Sequence, residues 1–370
     1  MNKPMYFAFL SIALLLLTST PSYAWVYPDC TEDLKFERFG PRVDRVLIRM
    51  YANETDAFNA FEKGEFDMTD WRVTKDFLDK WSVPPFNNTI KIVQFPPPHC
   101  ERGYYILDMN NNPYPLLPDG SLNPVYPNPT SISSVRHAIA HCIDRDSIVT
   151  IDCEGLAIHM YTLIVPYMTS WLHPEIRPGG LLANLTHPYD TSEAAALLAA
   201  DDILYNPVEY AWRFWDGKPG YPKDGHYQPG EEVELIFYGR SDHNWRNDIA
   251  LRVTAALQSA PVFLKVNLIL ANMSICYQKV MVEKNFHMYT GGWIFMGPEP
   301  DYLYDLYNGE MYWHPGAPAN YGCYNCTEFN YWSKIVKSPN TVEEAKGACR
   351  QAQEVWATPC CIGAIPLVST

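Results

Sequence analysis

Positive charge is scarce in this 370-residue chain, where 28 Lys and Arg stand against 42 Asp and Glu for a formal charge of −14. Nucleic acids and anionic membrane surfaces are held by clustered Lys and Arg, so neither is expected as a partner. Long apolar runs are missing beyond the N-terminal segment: none approaches the ~18 residues that mark a spanning helix. The hydrolase motifs HExxH, GxSxG and SxxK do not occur. Carboxylates are scattered, with no pair that can be placed across a substrate. His137 and His141 share one helical face. No third metal ligand is evident in the sequence, so a surface pair is expected there and not a metal site. No catalytic residue, metal or cofactor is expected.

The N-terminus has the form of a secretion signal. Lys3 precedes an apolar stretch from Tyr6 to Leu17, too short to span a bilayer, and Ser22-Tyr23-Ala24 is a small-residue cleavage site. Residues 1–24 are therefore expected to be a signal peptide, and its loss removes Lys3 and brings the charge to −15. Cys30 is too far along to be a lipid-modified first residue. Export makes disulfides possible among the ten cysteines, and Cys323–Cys326 (CxxC) suits a disulfide or structural thiols better than zinc or redox chemistry. Sequons at Asn53, Asn87, Asn184, Asn272 and Asn325 are compatible with glycosylation. Eleven Trp and 25 Tyr fit either aromatic-lined ligand grooves or a large core.

Strand and helix patterns alternate along the rest. Val46–Met50 reads as a strand, Glu54–Glu62 as a helix ended by Gly64, and Phe66–Trp71 as a returning strand. A helix over Thr74–Trp81 precedes strands at Thr89–Phe95 and Tyr104–Met109. Ser133–Pro166 reads as two helices, the second capped by Asp144 and stopped near Gly155, then an extended segment. Asp190 and Glu193 form a capping box for a further helix, and Pro207–Gly230 looks like an insertion. Strands at Val233–Tyr238, Val266–Ala271 and His287–Trp293 alternate with helices at Asn244–Leu257 and Ile275–Lys284. Helices over Pro300–Gly309, Glu328–Val336 and Thr341–Trp356, the last with a Thr341/Glu344 capping box, lead to a strand at Ile362–Val368. Such alternation predicts α/β layers with parallel pairing.

Several of these segments carry wording as well as pattern. Val135 to Ile148 (VRHAIAHCIDRDSI), the Gly64-Glu65-x-Asp67 turn, GYYILDMN from Gly103, the Tyr189–Asp190 helix start and the strand ending in Ile365-Pro366-Leu367 occur in one order. Together they resemble the extracellular solute-binding proteins of the peptide/nickel type (family 5) that serve ABC transporters, over Val43 to Leu367. The resemblance implies type II periplasmic-binding-protein-like lobes. Residues 131–285 would form most of one lobe, and 43–110 with 286–370 the hinge and a less complete lobe, the chain being shortened at both ends. It also implies capture of an oligopeptide-like or other organic solute, ABC permease subunits as partners, and a secreted location, periplasmic or at the cell surface. Candidate ligand-binding residues are Tyr104 and Tyr105 at a strand start, Trp171 in a loop, Trp293, Glu299, Asp301 and Tyr321. Gly291–Tyr304 resembles the family's loop whose first aspartate holds a dipeptide's amino group, but Met296 stands at that position, which puts free-peptide recognition in doubt. Asp301 is expected to cap the helix that follows it. A secreted hydrolase and a cell-surface interaction protein are the alternatives from other classes.

Overall fold

The computed structural model describes residues 45–69, 73–93, 103–117, 119–200, 203–206, 211–214, 232–294, 299–311 and 320–369. The expected signal peptide, Met296 and nearly all of the expected insertion lie outside them. The chain divides into two compact units, residues 1–71 and 72–370.

In the first unit, helix α1 (Glu54–Glu62) starts on Asn53, whose side chain accepts a hydrogen bond from the Asp56 amide, and Gly64 follows with a φ of 73°. Phe66 folds back so that its ring lies 5.6 Å from Tyr51 and 5.5 Å from Phe61. The strands expected at Val46–Met50 and Phe66–Trp71 are not formed among the described residues. Val46, Leu47, Ile48 and Met50 are exposed. Strand propensity reports a good fit to a pleated, half-buried surface, and without a ladder partner it fixes nothing.

The second unit begins with helix α2 (Lys75–Trp81). The strand expected at Thr89–Phe95 is absent over its described part. A six-stranded sheet then organises the unit, in the order β2 (Ile158–His159), β8 (Ala364–Ser369), β1 (Gly103–Met109), β7 (Met288–Ile294), β5 (Glu234–Arg240), β6 (Lys265–Ala271). Parallel pairing is confined to β5 with β6 and β7. The remaining ladders are antiparallel, so the sheet is mixed. A separate antiparallel pair, β3 (Ile203–Asn206) and β4 (Ala211–Phe214), lies beside it in sequence.

Side chains alternate across each strand, so β1 serves two cores. Leu107 and Met109 join one apolar cluster with helices α3 (Ser133–His141), α5 (Thr191–Ala200) and α6 (Asn244–Gln258). Tyr104 and Ile106 join another with α8 (Tyr302–Tyr307), α9 (Thr327–Lys337) and α10 (Val342–Ala357). Helices therefore cover both faces of the sheet. Between α3 and α5, the short helix α4 (Arg145–Ser147) runs into a π turn over Ile148–Asp152 and stops at Gly155, which has a φ of 75°. Asp144 caps it by accepting from the Ser147 amide at 3.0 Å. Helix α7 (Met273–Cys276) likewise continues as a π turn over Tyr277–Val282.

Two arginines of the central helices reach the chain around β8. Arg136 donates to the carbonyls of Thr130 and Ile362, and Arg145 donates from Nε to the Pro366 carbonyl at 3.0 Å. Both are buried, and burial draws each guanidinium down to about 10, still charged at neutral pH. Arg suits this role because its planar fork satisfies several carbonyls without a carboxylate partner. No helix among the described residues is long and apolar enough to cross a membrane.

Candidate functional site

The central strand carries an acid in its interior. Asp108 follows Tyr104 and Ile106 on the same face of β1 and is buried. Burial raises its carboxyl from 3.8 to about 7, against the hydrogen bond from Tyr321 and the positive charge of Arg246, both of which lower it. Tyr321 donates its hydroxyl to Asp108 Oδ2. Around the Tyr321 ring stand Phe286 at 6.1 Å, Trp293 at 6.2 Å and Tyr289 at 6.4 Å. Arg246 does not bond the acid. It donates from Nε to the Thr290 carbonyl at 2.7 Å and from Nη2 to the Tyr289 hydroxyl at 2.8 Å, with its guanidinium over the Tyr289 ring. Tyr104 shares a 2.7 Å hydrogen bond with Tyr307. A void of about 10 Å³ lies among Asp108, Asn111, Trp293, Tyr307, Asn320 and Tyr321. That is room for about one water molecule. Such a cluster can orient one polar group, with Asp108 able to donate or accept near neutral pH.

The expected site residues fall into separate groups. Tyr104, Trp293 and Tyr321 gather on the Asp108 side of the sheet. Tyr104 and Tyr321 are buried, while Trp293 is half-buried and touches two apolar clusters. Tyr105, one residue on, faces the opposite side and shares a 3.0 Å hydrogen bond with His243. Trp171 is buried beside α10, where its carbonyl accepts from Gln353 at 2.8 Å. Glu299 is exposed. Asp301 does not cap α8: its carboxylate pairs with Lys337 on α9 at 3.0 Å, and its backbone is already helical. The long-range ion pair took the side chain that local geometry offered to the cap.

Two features were not visible in the sequence. An open groove of about 600 Å³ runs between α6 and the Cys142–Asp152 segment, with Asp144 and Asp248 on its walls and Arg252 held bidentate on Asp152 at 2.6 and 2.7 Å. The i,i+4 pair His137 and His141 also gains a third imidazole, from His187. That residue follows Thr186 in a loop, and only tertiary folding brings it to α3. Burial, helped by the neighbouring imidazoles, lowers His187 to about 3 and His137 to about 4, so both rings are neutral at pH 7.

Residues 16–313 match the sequence profile of bacterial extracellular solute-binding proteins, family 5 Middle. No curated protein sequence matches the chain. Among solved structures, the oligopeptide-binding protein of Bacillus subtilis in complex with a nonapeptide is similar at TM-score 0.61 and 18% identity, over 86% of this chain and 53% of that one. A Campylobacter jejuni protein in complex with Ni(L-His) gives TM-score 0.61 and 14% identity over 86% and 53%. A periplasmic oligopeptide-binding protein of Thermotoga maritima with bound mannohexaose gives 0.63 and 16% over 86% and 52%. The chain thus spans about half the length of these three solved structures. At these identities the likeness concerns the fold, which is the type II periplasmic-binding α/β architecture.

Proposed function

Because the chain belongs to the bacterial extracellular solute-binding proteins of family 5, we propose that it captures an organic solute outside the cytoplasm and presents it to the permease of an ABC transporter, with no chemical step. The similar solved structures hold a peptide, a nickel chelate and an oligosaccharide, so the reading is of a solute with several polar groups and enough surface to stack on aromatic rings. The observation that supports it within this chain is the half-buried Trp293 beside the Tyr321–Asp108 pair. Ligand clefts combine aromatic area with a few polar groups that fix orientation, and this cluster offers both.

Thermal-shift titration of the full chain with oligopeptides, oligosaccharides and nickel–histidine tests the reading. A saturable rise with one class, reduced in Trp293→Ala, is expected. Protein shown to be folded that shifts with none of them would overturn it.

A further inference from the structure

We propose that His137, His141 and His187 form a binding site for a divalent transition-metal ion of the zinc type. One ligand nitrogen from each ring lies within 4.8 Å of the other two. The Nε2 atoms of His137 and His141 stand 3.3 Å apart. Zinc–nitrogen bonds of about 2.0–2.1 Å in a tetrahedron put neighbouring ligand atoms about 3.3–3.4 Å apart, so two of the three ligands already have the required spacing.

The hydrogen bonds around the rings point the same way. His141 Nδ1 lies 2.7 Å from the Pro188 carbonyl, a contact that requires the proton on Nδ1 and leaves the Nε2 lone pair for an ion. His187 is 4% exposed, and neither of its ring nitrogens makes a well-formed hydrogen bond, although the Ala357 carbonyl lies close by. A buried imidazole left in that state is unfavourable, because a desolvated polar group keeps its cost until a partner satisfies it. Arg145 donates to the carbonyls of both Thr186 and His187 at 3.3 Å and so holds the loop against α3. His137 is half-buried and gives the ion a way in.

The donor set also selects the ion. Three imidazole nitrogens and no carboxylate suit zinc, nickel or copper and disfavour calcium and magnesium, which want oxygen. The fourth position of a zinc ion there would be left for water or a solute ligand. The inference stands on the histidines alone and holds whether or not the chain delivers solutes to a transporter.

Tag-free full-length protein, stripped with a chelator and titrated with zinc chloride by calorimetry, decides it. One ion per chain is expected, with affinity falling at least about tenfold in His141→Gln and in His187→Gln. Cobalt(II) should give the intense visible absorption of a tetrahedral site in the same protein. His137→Gln, at the half-buried position, should fold as the parent does by circular dichroism and lose affinity too, which covers the case where His187→Gln fails to fold. Absence of stoichiometric zinc binding by the parent would overturn the inference. So would binding that survives in the triple variant, since the ion would then sit elsewhere, for example on Cys326 and Cys361.

Discussion

The carboxylate of Asp108 occupies the space that a side chain at position 291 would fill. Gly291 lies opposite Ile106 across the β1–β7 ladder, and a Cβ there would overlap Asp108 Oδ2. The glycine is thus a condition for keeping an acid inside the sheet. Gly291→Ala should cost about 1–3 kcal/mol in urea unfolding, the range for overpacking a tight interior. In an Asp108→Ala background the same change should cost measurably less, because the two sites are coupled. Equal costs in both backgrounds would mean that the two residues do not compete for space.

The same acid sets a pH dependence. Its folded value of about 7 lies above its ordinary 3.8, so between these limits the folded chain holds a proton that the unfolded chain has released. Stability from this group is complete below about pH 4 and is lost as pH rises through 7, by up to about 4 kcal/mol. Asp108→Asn cannot ionise and should lose less stability than the parent over that window. Denaturant midpoints taken at steps across it would show the difference, and parallel profiles would refute the assignment.

Two tryptophans should respond in opposite ways. Trp171→Ala empties a core position and should destabilise by about 3–5 kcal/mol. Trp293→Ala removes a half-buried ring, so its cost in stability should be smaller while its effect on the ligand-induced thermal shift is large. A Trp293→Ala protein that binds as the parent does would place the ligand elsewhere.

Among the thiols, Cys326 and Cys361 face each other with their sulfurs 2.8 Å apart, whereas Cys323 is buried and turned toward the Tyr321 carbonyl. A hydrogen bond from Cys361 holds the Cys326 thiol below its ordinary range, which favours its thiolate. Under oxidised glutathione the two thiols should give up two protons and two electrons to form one disulfide, with the oxidant reduced to two glutathione thiols. Peptide mapping without reductant should find Cys326 joined to Cys361. A Cys323–Cys326 link would refute the pairing.

What could be read in advance was what depends on near neighbours. Asp144, Asp190 and Thr341 cap the helices their spacing suggested, each accepting from an amide within its own first turn. The longer helices and the strands β1, β5, β6 and β7 follow from periodicity over seven or more residues. Period-two alternation also separates Tyr104 from Tyr105, although both were expected at one cleft. What escaped depends on distant partners. Asp301 met Lys337, His187 met α3, and Val46–Met50 found no ladder among the described residues. Pairing direction was missed in part, because a helix pattern between strands suggests a parallel crossover while β1 and β8 pair with strands far away in sequence.

That distance bears on how the molecule is made. β1 lies in the middle of the sheet, yet its neighbours on either side begin only at Met288 and Ala364. As the polypeptide is made from its N-terminus, this apolar strand has neither ladder partner for about half of the chain's synthesis. The β5–α6–β6 crossover is local by contrast and can close on its own, since short loops are entropically cheap and long ones delay folding. A nascent chain therefore carries two unsatisfied edges on β1 until β7 is made, and one of them until β8 follows the last helix. Holdase binding or rapid passage to another compartment during that interval would guard against edge-to-edge association.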